Sequence, residues 1–284
     1  GNFMRWQGRR ESSNVEDRRG LSPKGVIGGG IGGIAIILIV LLLGVDPSSL
    51  LQNLEMTDQT TTSNYQETAQ EKELASFVSV VLAETENVWH KIFSDMGRNY
   101  IEPKLVLFTG SVQSACGVAG ASTGPFYCPG DQKLYIDLSF YDELQQRFKA
   151  PGDFAMAYVV AHEVGHHIQN LLGTMDKIQS LRSRLSEEEY NQYSVRLELQ
   201  ADFYAGVWAH YTDKLEGLLE EGDLDEALNA AAAVGDDNIQ KQMQGYVVPE
   251  SFTHGTSAQR KKWFYKGYTT GDIRQGDTFS ARDL

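Results

Sequence analysis

The chain has 284 residues, of which 41% are hydrophobic and 10% aromatic, and its formal net charge is -13. This composition is typical of a globular protein with one large domain, or one domain with an appendage, and not of a disordered chain. The acidic excess excludes a nucleic-acid partner, because binding to polyphosphate requires a concentrated basic surface.

The first 25 residues differ from the rest in charge, with six arginine or lysine residues against three acids. Residues 26–45 follow with the sequence VIGGGIGGIAIILIVLLLGV, which contains no charge. This run has the length of a helix that crosses a bilayer core of about 30 Å. A signal peptide is disfavoured because the run is long and lacks an A-x-A-like end, and a buried soluble helix is disfavoured because such helices rarely lack polar positions. We therefore predict a basic cytoplasmic segment over residues 1–25 and a transmembrane helix over residues 26–45.

The charges that flank this run predict its orientation. Basic residues precede it and an acidic sequence follows it, which favours a cytoplasmic N-terminus. The expected location is the bacterial inner (cytoplasmic) membrane, as a single-pass protein with a periplasmic or extracellular C-terminal domain. Gly28 with Gly32, and Gly29 with Gly33, form G-x-x-x-G pairs that could pack two such helices into a homo-oligomer. Small residues that a membrane helix merely tolerates are the alternative interpretation.

After the apolar run, residues 46–70 are rich in Ser, Thr, Gln and Asn, which predicts a polar linker. The folded domain is predicted over residues 71–284. Apolar residues at helical spacing fill residues 74–93, and two strand-like runs, KLVLFTG and KLYIDLSF, follow. Helical patterns dominate the remainder. We predict an α+β, mainly helical fold with a small sheet before the helix that carries the motif described below.

The chain contains two cysteines, Cys116 and Cys128, in a glycine-rich segment between the two strand-like runs. In an oxidising compartment they could form a disulfide that closes a loop of about a dozen residues. Two free thiols, or half of a zinc site, are the alternatives, although no C-x-x-C spacing supports the zinc site.

The sequence VVAHEVGHHIQN, residues 159–170, places titratable groups in an apolar helix. His162 and His166 are four residues apart, so both imidazoles project from one helix face and can bind one ion. Glu163 completes the H-E-x-x-H pattern, in which the glutamate is the general base of a metallopeptidase. Burial of these groups without partners would cost several kcal/mol, of order 2–7 for a neutral polar group.

A catalytic zinc ion needs a third protein ligand and a coordination position left open. Glu198 and Asp202 are four residues apart in a second apolar helix, so Glu198 is the predicted third ligand and Asp202 the predicted acceptor from a ligand histidine. Solvated positions on an amphipathic helix are the alternative. The other candidates for the third ligand are His167, His210 and His254. We expect His167 to have a local role instead. His90 is interpreted as structural.

Several segments together resemble the bacterial neutral zinc metallopeptidase family of the YpfJ type. They are MRWQGRRESSNVEDRRG, the apolar run, ACG and YCP, HEVGHHIQ, ELQADFYAGVWA and HGTSAQR, and they cover nearly the whole chain. The downstream Glu with an Asp four residues later is similar to the gluzincin pattern. This resemblance implies a zincin-like domain in which Glu198 binds zinc and Asp202 braces a histidine.

The sequence FTHGTSAQR resembles the T-H-P-x-x-x-x-R segment of HtpX-like membrane metalloproteases, with Gly255 at the proline position. His254 is therefore predicted to stabilise the oxyanion of the reaction. An N-terminal cap or a structural role is the alternative. Arg260 is predicted either to face the same oxyanion or to pair with a buried carboxylate such as Asp202.

These patterns predict a membrane-anchored zinc endopeptidase that acts on peptide or protein substrates. Extended substrates are expected to pair with the KLYIDL strand as a sheet edge. A zinc-stabilised scaffold without activity is the principal alternative, and a metalloenzyme with another substrate is a third. The apparently open fourth coordination position favours an enzyme, because structural zinc sites are usually closed by Cys or His.

Overall fold

The computed structural model describes residues 4–21, 65–120 and 123–284. The fold is α+β and mainly helical, as predicted. The helices are α1 (Ala69–Asp95), α2 (Phe140–Gln146), α3 (Asp153–Leu171), α4 (Thr174–Gln179), α5 (Glu187–Glu216), α6 (Asp223–Ala233), α7 (Asp236–Gln244) and α8 (Ser257–Thr270). Short 3-10 turns lie at Pro249–Ser251 and Ile273–Gln275. The strands are β1 (Val15–Asp17), β2 (Lys104–Phe108), β3 (Ser111–Ser114), β4 (Gly117–Gly120), β5 (Phe126–Cys128) and β6 (Lys133–Asp137).

The main sheet has the strand order β1-β2-β6-β5. β1, β2 and β6 are parallel, whereas β5 is antiparallel to β6 and forms an edge. The expectation that KLYIDL offers a free edge to a substrate is wrong, because β6 is paired on both sides. The edge strand on this side of the sheet is β5.

β3 and β4 form a separate hairpin. A Cys116–Cys128 disulfide, with a Cα–Cα distance of 5.9 Å, joins this hairpin to the end of β5. The predicted disulfide is thereby confirmed, and it removes the alternatives of free thiols and of a half zinc site. The edge strand is therefore covalently tied to the hairpin.

Helix α3 is the central helix of the core. Every residue from Phe154 to Gln169 is buried, as expected for a helix that is apolar on most of its surface. A side chain of α6 caps the first turn of α3. The Glu226 carboxylate accepts a hydrogen bond from the Phe154 N–H at 3.1 Å. The N–H groups of a first turn have no partner within the helix, so this contact fixes where α3 begins.

The two helices that carry the motifs, α3 and α5, approach closely at Gly165. A Cβ atom there would lie 2.8 Å from the carbonyl oxygen of Ala201, a distance that such atoms do not tolerate. A glycine at this position therefore lets the backbones of α3 and α5 come into contact.

The N-terminal residues are part of the folded domain. β1 pairs with β2, with Val15 opposite Leu105. Met4 is fully buried, and Trp6 is 7% exposed with its ring 5.5 Å from that of Phe77 in an edge-to-face arrangement. The segment over residues 4–21 thus adds a strand and two large side chains to the core.

The basic side chains of this segment neutralise acids of the domain. Arg9 contacts Glu84 at 3.1 Å and Glu216 at 3.0 Å, and Arg10 contacts Glu86 at 3.1 Å. Glu84 and Glu86 are buried on α1. Basic residues that led to the prediction of a cytoplasmic segment therefore form ion pairs with acids of the folded domain.

These contacts correct the predicted location. A single membrane crossing between residues 21 and 65 would separate β1 from β2, yet the two strands share one sheet. The prediction of a single-pass membrane protein with its N-terminus and its domain on opposite sides is therefore wrong. The predicted span itself, residues 26–45, lies outside the described residues. In the parts of the chain that are described, no helix has the length and apolar character needed to cross a membrane.

Candidate metal centre

The side chains of His162, His166 and Glu198 converge where α3 meets α5. The Nε2 atoms of His162 and His166 lie 3.0 and 2.7 Å from Oε2 of Glu198. One ligand atom from each residue lies within 4.8 Å of the other two. Among the described residues, His162, His166 and Glu198 form the group of histidine, cysteine and acidic side chains that lie close enough together to bind one metal ion.

Hydrogen bonds on the far side of each imidazole set its tautomer. His162 Nδ1 lies 2.8 Å from Asp202 Oδ1, and His166 Nδ1 lies 2.8 Å from Gln169 Oε1. The Gln169 amide nitrogen donates to the carbonyl of Leu197 at 2.7 Å, which identifies its oxygen as the acceptor from His166. Each Nδ1 therefore donates, and in the neutral imidazole each Nε2 presents a lone pair.

Two imidazole Nε2 atoms and a carboxylate oxygen, each able to donate an electron pair to a metal ion, thus face one point. This donor set fits a divalent zinc ion, which binds imidazole nitrogen and carboxylate oxygen. Sequence reasoning did not identify Gln169 as part of the site. Its position three residues after His166, on the same helix face, was the available signal.

The electrostatics of the centre favour positive charge. Burial by itself would lower the pKa of His162, but the neighbouring Asp202 and Glu198 carboxylates outweigh it and raise that pKa to about 10. Burial would raise the pKa of Glu198, yet the two imidazoles hold it well below its usual range. The same carboxylates that would hold a proton on the imidazole attract a metal cation.

Asp202 is fully buried and is held by Arg260 and Tyr158. Arg260 donates from Nε to Asp202 Oδ2 at 2.8 Å and from Nη2 to Oδ1 at 3.2 Å, and the Tyr158 hydroxyl also donates to Oδ1. Of the two roles predicted for Arg260, the observed contact is the one with the buried carboxylate. Arg260 is 4% exposed, so it braces Asp202 and through it His162.

His254 lies in the loop before α8, with its Nε2 atom 3.6 Å from Glu198 Oε1 and half of its side chain exposed. Asp236, at the start of α7, accepts hydrogen bonds from the backbone N–H groups of Thr253, His254 and Gly255 at 3.0, 2.7 and 2.9 Å. Gly255 has a φ of +99°, a backbone conformation that proline cannot adopt. Asp236 thus fixes the loop that presents His254 to the centre.

Glu163 is 8% exposed and lines the same cleft as the convergent ligands. Burial raises the pKa of its carboxyl, although the nearby histidines oppose the shift. Its carboxylate accepts no hydrogen bond from any described residue, so it is available to a water molecule or a substrate.

His167 connects α3 to the edge strand. Its Nε2 donates to the carbonyl of Ile101 at 2.6 Å, so its Nδ1 accepts from the Tyr127 hydroxyl at 2.7 Å. Asn170 donates to the same hydroxyl at 2.9 Å. The local role expected for His167 is therefore wrong, because its partners lie 40 and 66 residues away. The predicted metal helix and β5 are held together through Tyr127.

The remaining histidines lie outside the centre. His210 contacts the carbonyl of Tyr268 at 2.7 Å, and His90 pairs with Glu102 at 2.9 Å. Neither lines the cleft beside the convergent ligands, which has a volume of about 440 Å³.

Comparison with known proteins finds relatives that cover most of the chain. YpfJ, an uncharacterized protein of Escherichia coli, is 49% identical over 286 residues, covering 97% of this chain and 99% of the relative. Uncharacterized proteins of Mycobacterium tuberculosis and Mycobacterium bovis are 42% identical over 257 residues, covering 86% of each chain. No solved structure shows significant similarity. Residues 4–279 match the family described as "Putative neutral zinc metallopeptidase", and the chain belongs to this family.

Proposed function

We propose that the chain is a zinc-dependent endopeptidase with His162, His166 and Glu198 as its metal ligands. One observation carries the proposal: two imidazole Nε2 atoms and a carboxylate oxygen converge within 4.8 Å while each Nδ1–H points to another acceptor. Three protein ligands leave a coordination position for water or substrate, which is typical of catalytic zinc sites. The family description supports the same activity.

When bound, zinc would lower the pKa of a water molecule towards about 7 and polarise the scissile carbonyl. Glu163 is the proposed general base. It lies next to His162 in the chain, and its carboxylate has no competing hydrogen bond from the described part of the chain. It takes the proton of the attacking water and later gives it to the leaving amine.

His254 is the proposed donor to the carbonyl oxygen as that oxygen becomes negative. Its ring lies beside Glu198 at the cleft, and the Asp236 hydrogen bonds to its loop limit its movement. Asp202 and Arg260 have supporting roles, since Asp202 sets the His162 tautomer and Arg260 compensates the charge of Asp202. A gluzincin-like arrangement of H-E-x-x-H with a distant Glu and Asp is part of this proposal.

The charged groups of the cleft favour cleavage within a chain over removal of a terminal residue. A carboxypeptidase requires a free cation for the terminal carboxylate, whereas Arg260 is committed to Asp202 and Tyr158. An aminopeptidase requires free acids for the terminal amine, whereas Glu163 and Glu198 have the roles above. Residues 123–125 and Tyr127 line the cleft at the β5 edge, where an extended peptide could pair.

The test uses the full chain, assayed for metal content and for hydrolysis of casein and a peptide library. We expect one zinc per chain and an activity that a chelator removes. Glu163→Gln should keep the zinc and lose at least about 100-fold in kcat, because general acid–base catalysis contributes at least that factor. The exposed Glu188→Gln is the matched control and should match the wild type. Zinc retained with no hydrolysis of any substrate by the wild type would overturn the proposal and favour a zinc-stabilised scaffold.

A further inference from the structure

The walls of the cleft beside the candidate metal centre are apolar and come from separate parts of the chain. One part of the wall is formed by Phe140 of α2 and by Phe148, which follows α2. Another part is formed by Val234, which lies between α6 and α7, and by Ile239 of α7. Val159 of α3 lines the floor. We infer that this cleft binds a large apolar side chain, aromatic or branched aliphatic, of the peptide residue beside the scissile bond. The inference rests on the proposed peptidase function.

The apolar wall begins directly at the centre. Val159 lies one helical turn before His162 on the same face of α3, and Leu197 precedes Glu198 on α5. A side chain attached to a peptide whose carbonyl lies at the convergent ligands would therefore contact hydrocarbon at once. The cleft volume of about 440 Å³ lies within the range of ligand pockets, so a large side chain fits with flanking backbone.

A charged side chain would find no partner on these walls. Among the described lining residues, the histidines and acids all belong to the proposed chemistry, and the other titratable groups are already hydrogen-bonded within the protein. The histidines and acids are His162, Glu163, His166, Glu198 and His254. Arg260 and Tyr158 contact Asp202, and Tyr127 contacts His167 and Asn170. A charged group moved from water to such a surface loses its hydration without compensation. The cleft should therefore discriminate against acidic and basic side chains.

The aromatic wall is held in place from outside. The Phe140 and Phe148 rings lie 6.2 Å apart, and the Arg147 guanidinium lies 5.1 Å from the centre of the Phe148 ring. Arg147 Nη2 also reaches Met243 Sδ, at 3.1 Å, and so connects this wall to α7. The Phe148 ring is therefore connected through Arg147 to α7, which forms another part of the cleft wall.

The test compares fluorogenic peptides that are identical except for Phe, Ala or Glu at the position directly before or directly after the scissile bond. We expect the wild type to prefer Phe over Glu by at least about tenfold in kcat/KM, as apolar pockets do for groups of this size. Ile239→Arg places a cation on the wall and should reduce this Phe-to-Glu ratio at least about tenfold. Phe148→Ala should weaken the preference for Phe over Ala. Leu215→Arg, at a position 58% exposed on α5 and outside the cleft, should change neither ratio.

A second measurement separates this inference from the peptidase proposal. The same peptides are titrated into full-length Glu163→Gln protein and their binding is followed by fluorescence anisotropy. Tighter binding of Phe than of Glu peptides, abolished by adding Ile239→Arg, supports the apolar cleft even if the wild type cleaves neither peptide. Equal binding and cleavage of Phe and Glu peptides by the wild type, or an Ile239→Arg variant that folds and keeps the Phe preference, would overturn the inference.

Discussion

Two clusters of buried acids in this molecule have different partners. On α1, Glu86 accepts hydrogen bonds from Ser12, Asn14 and Arg10 of the N-terminal segment, at 2.6, 2.8 and 3.1 Å. On α5, Glu198 faces the Nε2 atoms of two imidazoles whose Nδ1–H groups donate to Asp202 and Gln169. The first carboxylate accepts from permanent hydrogen-bond donors, whereas the second faces nitrogen atoms that can bind either a proton or a metal ion.

This difference shows what distinguishes a metal centre from a structural ion-pair cluster. Burial of acids alone does not, since the Glu86 side chain, outside the metal centre, is 2% exposed and the Glu198 side chain is 15% exposed. The distinguishing feature is convergence of a carboxylate with two imidazole nitrogens, because these atoms can bind a metal ion in place of a proton. The N-terminal cluster should therefore govern folding, and the α3–α5 cluster should govern metal binding.

The largest expected effect on stability concerns the N-terminal segment. Trp6→Ala should lower the free energy of unfolding by about 3–5 kcal/mol, the usual loss for a buried tryptophan. Urea denaturation measures this loss, and zinc content per folded chain should not change. Tyr246→Ala, at a side chain 63% exposed, should stay within about 0.5 kcal/mol of the wild type. A Trp6→Ala protein as stable as the wild type would show that this segment is not part of the core.

Removing one acid from each cluster tests the comparison directly. Glu198→Ala should weaken zinc binding by at least about 100-fold, since loss of an outer hydrogen-bond partner alone typically costs 10–100-fold. Glu86→Ala should leave zinc affinity unchanged and lower stability by about 1–3 kcal/mol, because Ser12 and Asn14 lose their acceptor. Competition with a fluorescent zinc chelator measures the affinity. The opposite pattern, with zinc affinity lost in Glu86→Ala, would abolish the distinction.

Asp202→Asn should reduce zinc affinity by about 10–100-fold through His162. The substitution removes the charge that holds the imidazole and leaves the buried Arg260 without its counter-ion. Asp213→Asn, on the same helix and paired with Tyr268 at 2.7 Å, is the matched control. Equal zinc affinities in the two variants would mean that Asp202 only supports the fold.

A smaller effect concerns pH and the start of α3. Burial, with the charges of Asp223 and Asp153, raises the pKa of Glu226 from 4.5 to about 7, against the hydrogen bond from Phe154. The folded chain therefore binds a proton that the unfolded chain releases, so this group's contribution to stability falls as the pH rises from about 4.5 to about 7.

Glu226→Gln keeps an acceptor for the Phe154 N–H and removes the charge. After allowance for solvent screening, we expect it to stabilise the protein by about 1 kcal/mol at pH 8 and by much less at pH 4.5. Thermal unfolding at both pH values measures the difference, with the exposed Asp225→Asn as control. A gain that is equal at both pH values would contradict the role of the charge.

The sequence predicted the site best where titratable residues occur at helical spacing within an apolar segment. His162, Glu163 and His166 stand out because titratable groups are rare in an apolar helix, and Glu198 stands out for the same reason. Gln169 was missed because a glutamine near a helix end resembles a surface position. Its role depends on a neighbouring helix that the sequence does not position.

The N-terminal segment was misinterpreted because its basic residues precede a long apolar run, a pattern typical of membrane anchors. β1 has only three residues, two of them acidic, and shows no alternation that would predict a strand. The order β1-β2-β6-β5 likewise depends on pairing between distant residues. Strand order could not be derived from local patterns, so the free edge was assigned to β6 instead of β5.

The contact of Gly165 with Ala201 also concerns the geometry of the proposed metal site. The imidazoles belong to one helix and the carboxylate to the other, so the gap between them is set by how near the two backbones can come. Any larger residue at position 165 would have to widen that gap, because its Cβ would meet a carbonyl oxygen. The absence of a side chain at this crossing therefore sets the spacing of the two helices that carry the proposed ligands, and Gly165→Ala should move the imidazoles away from the Glu198 carboxylate.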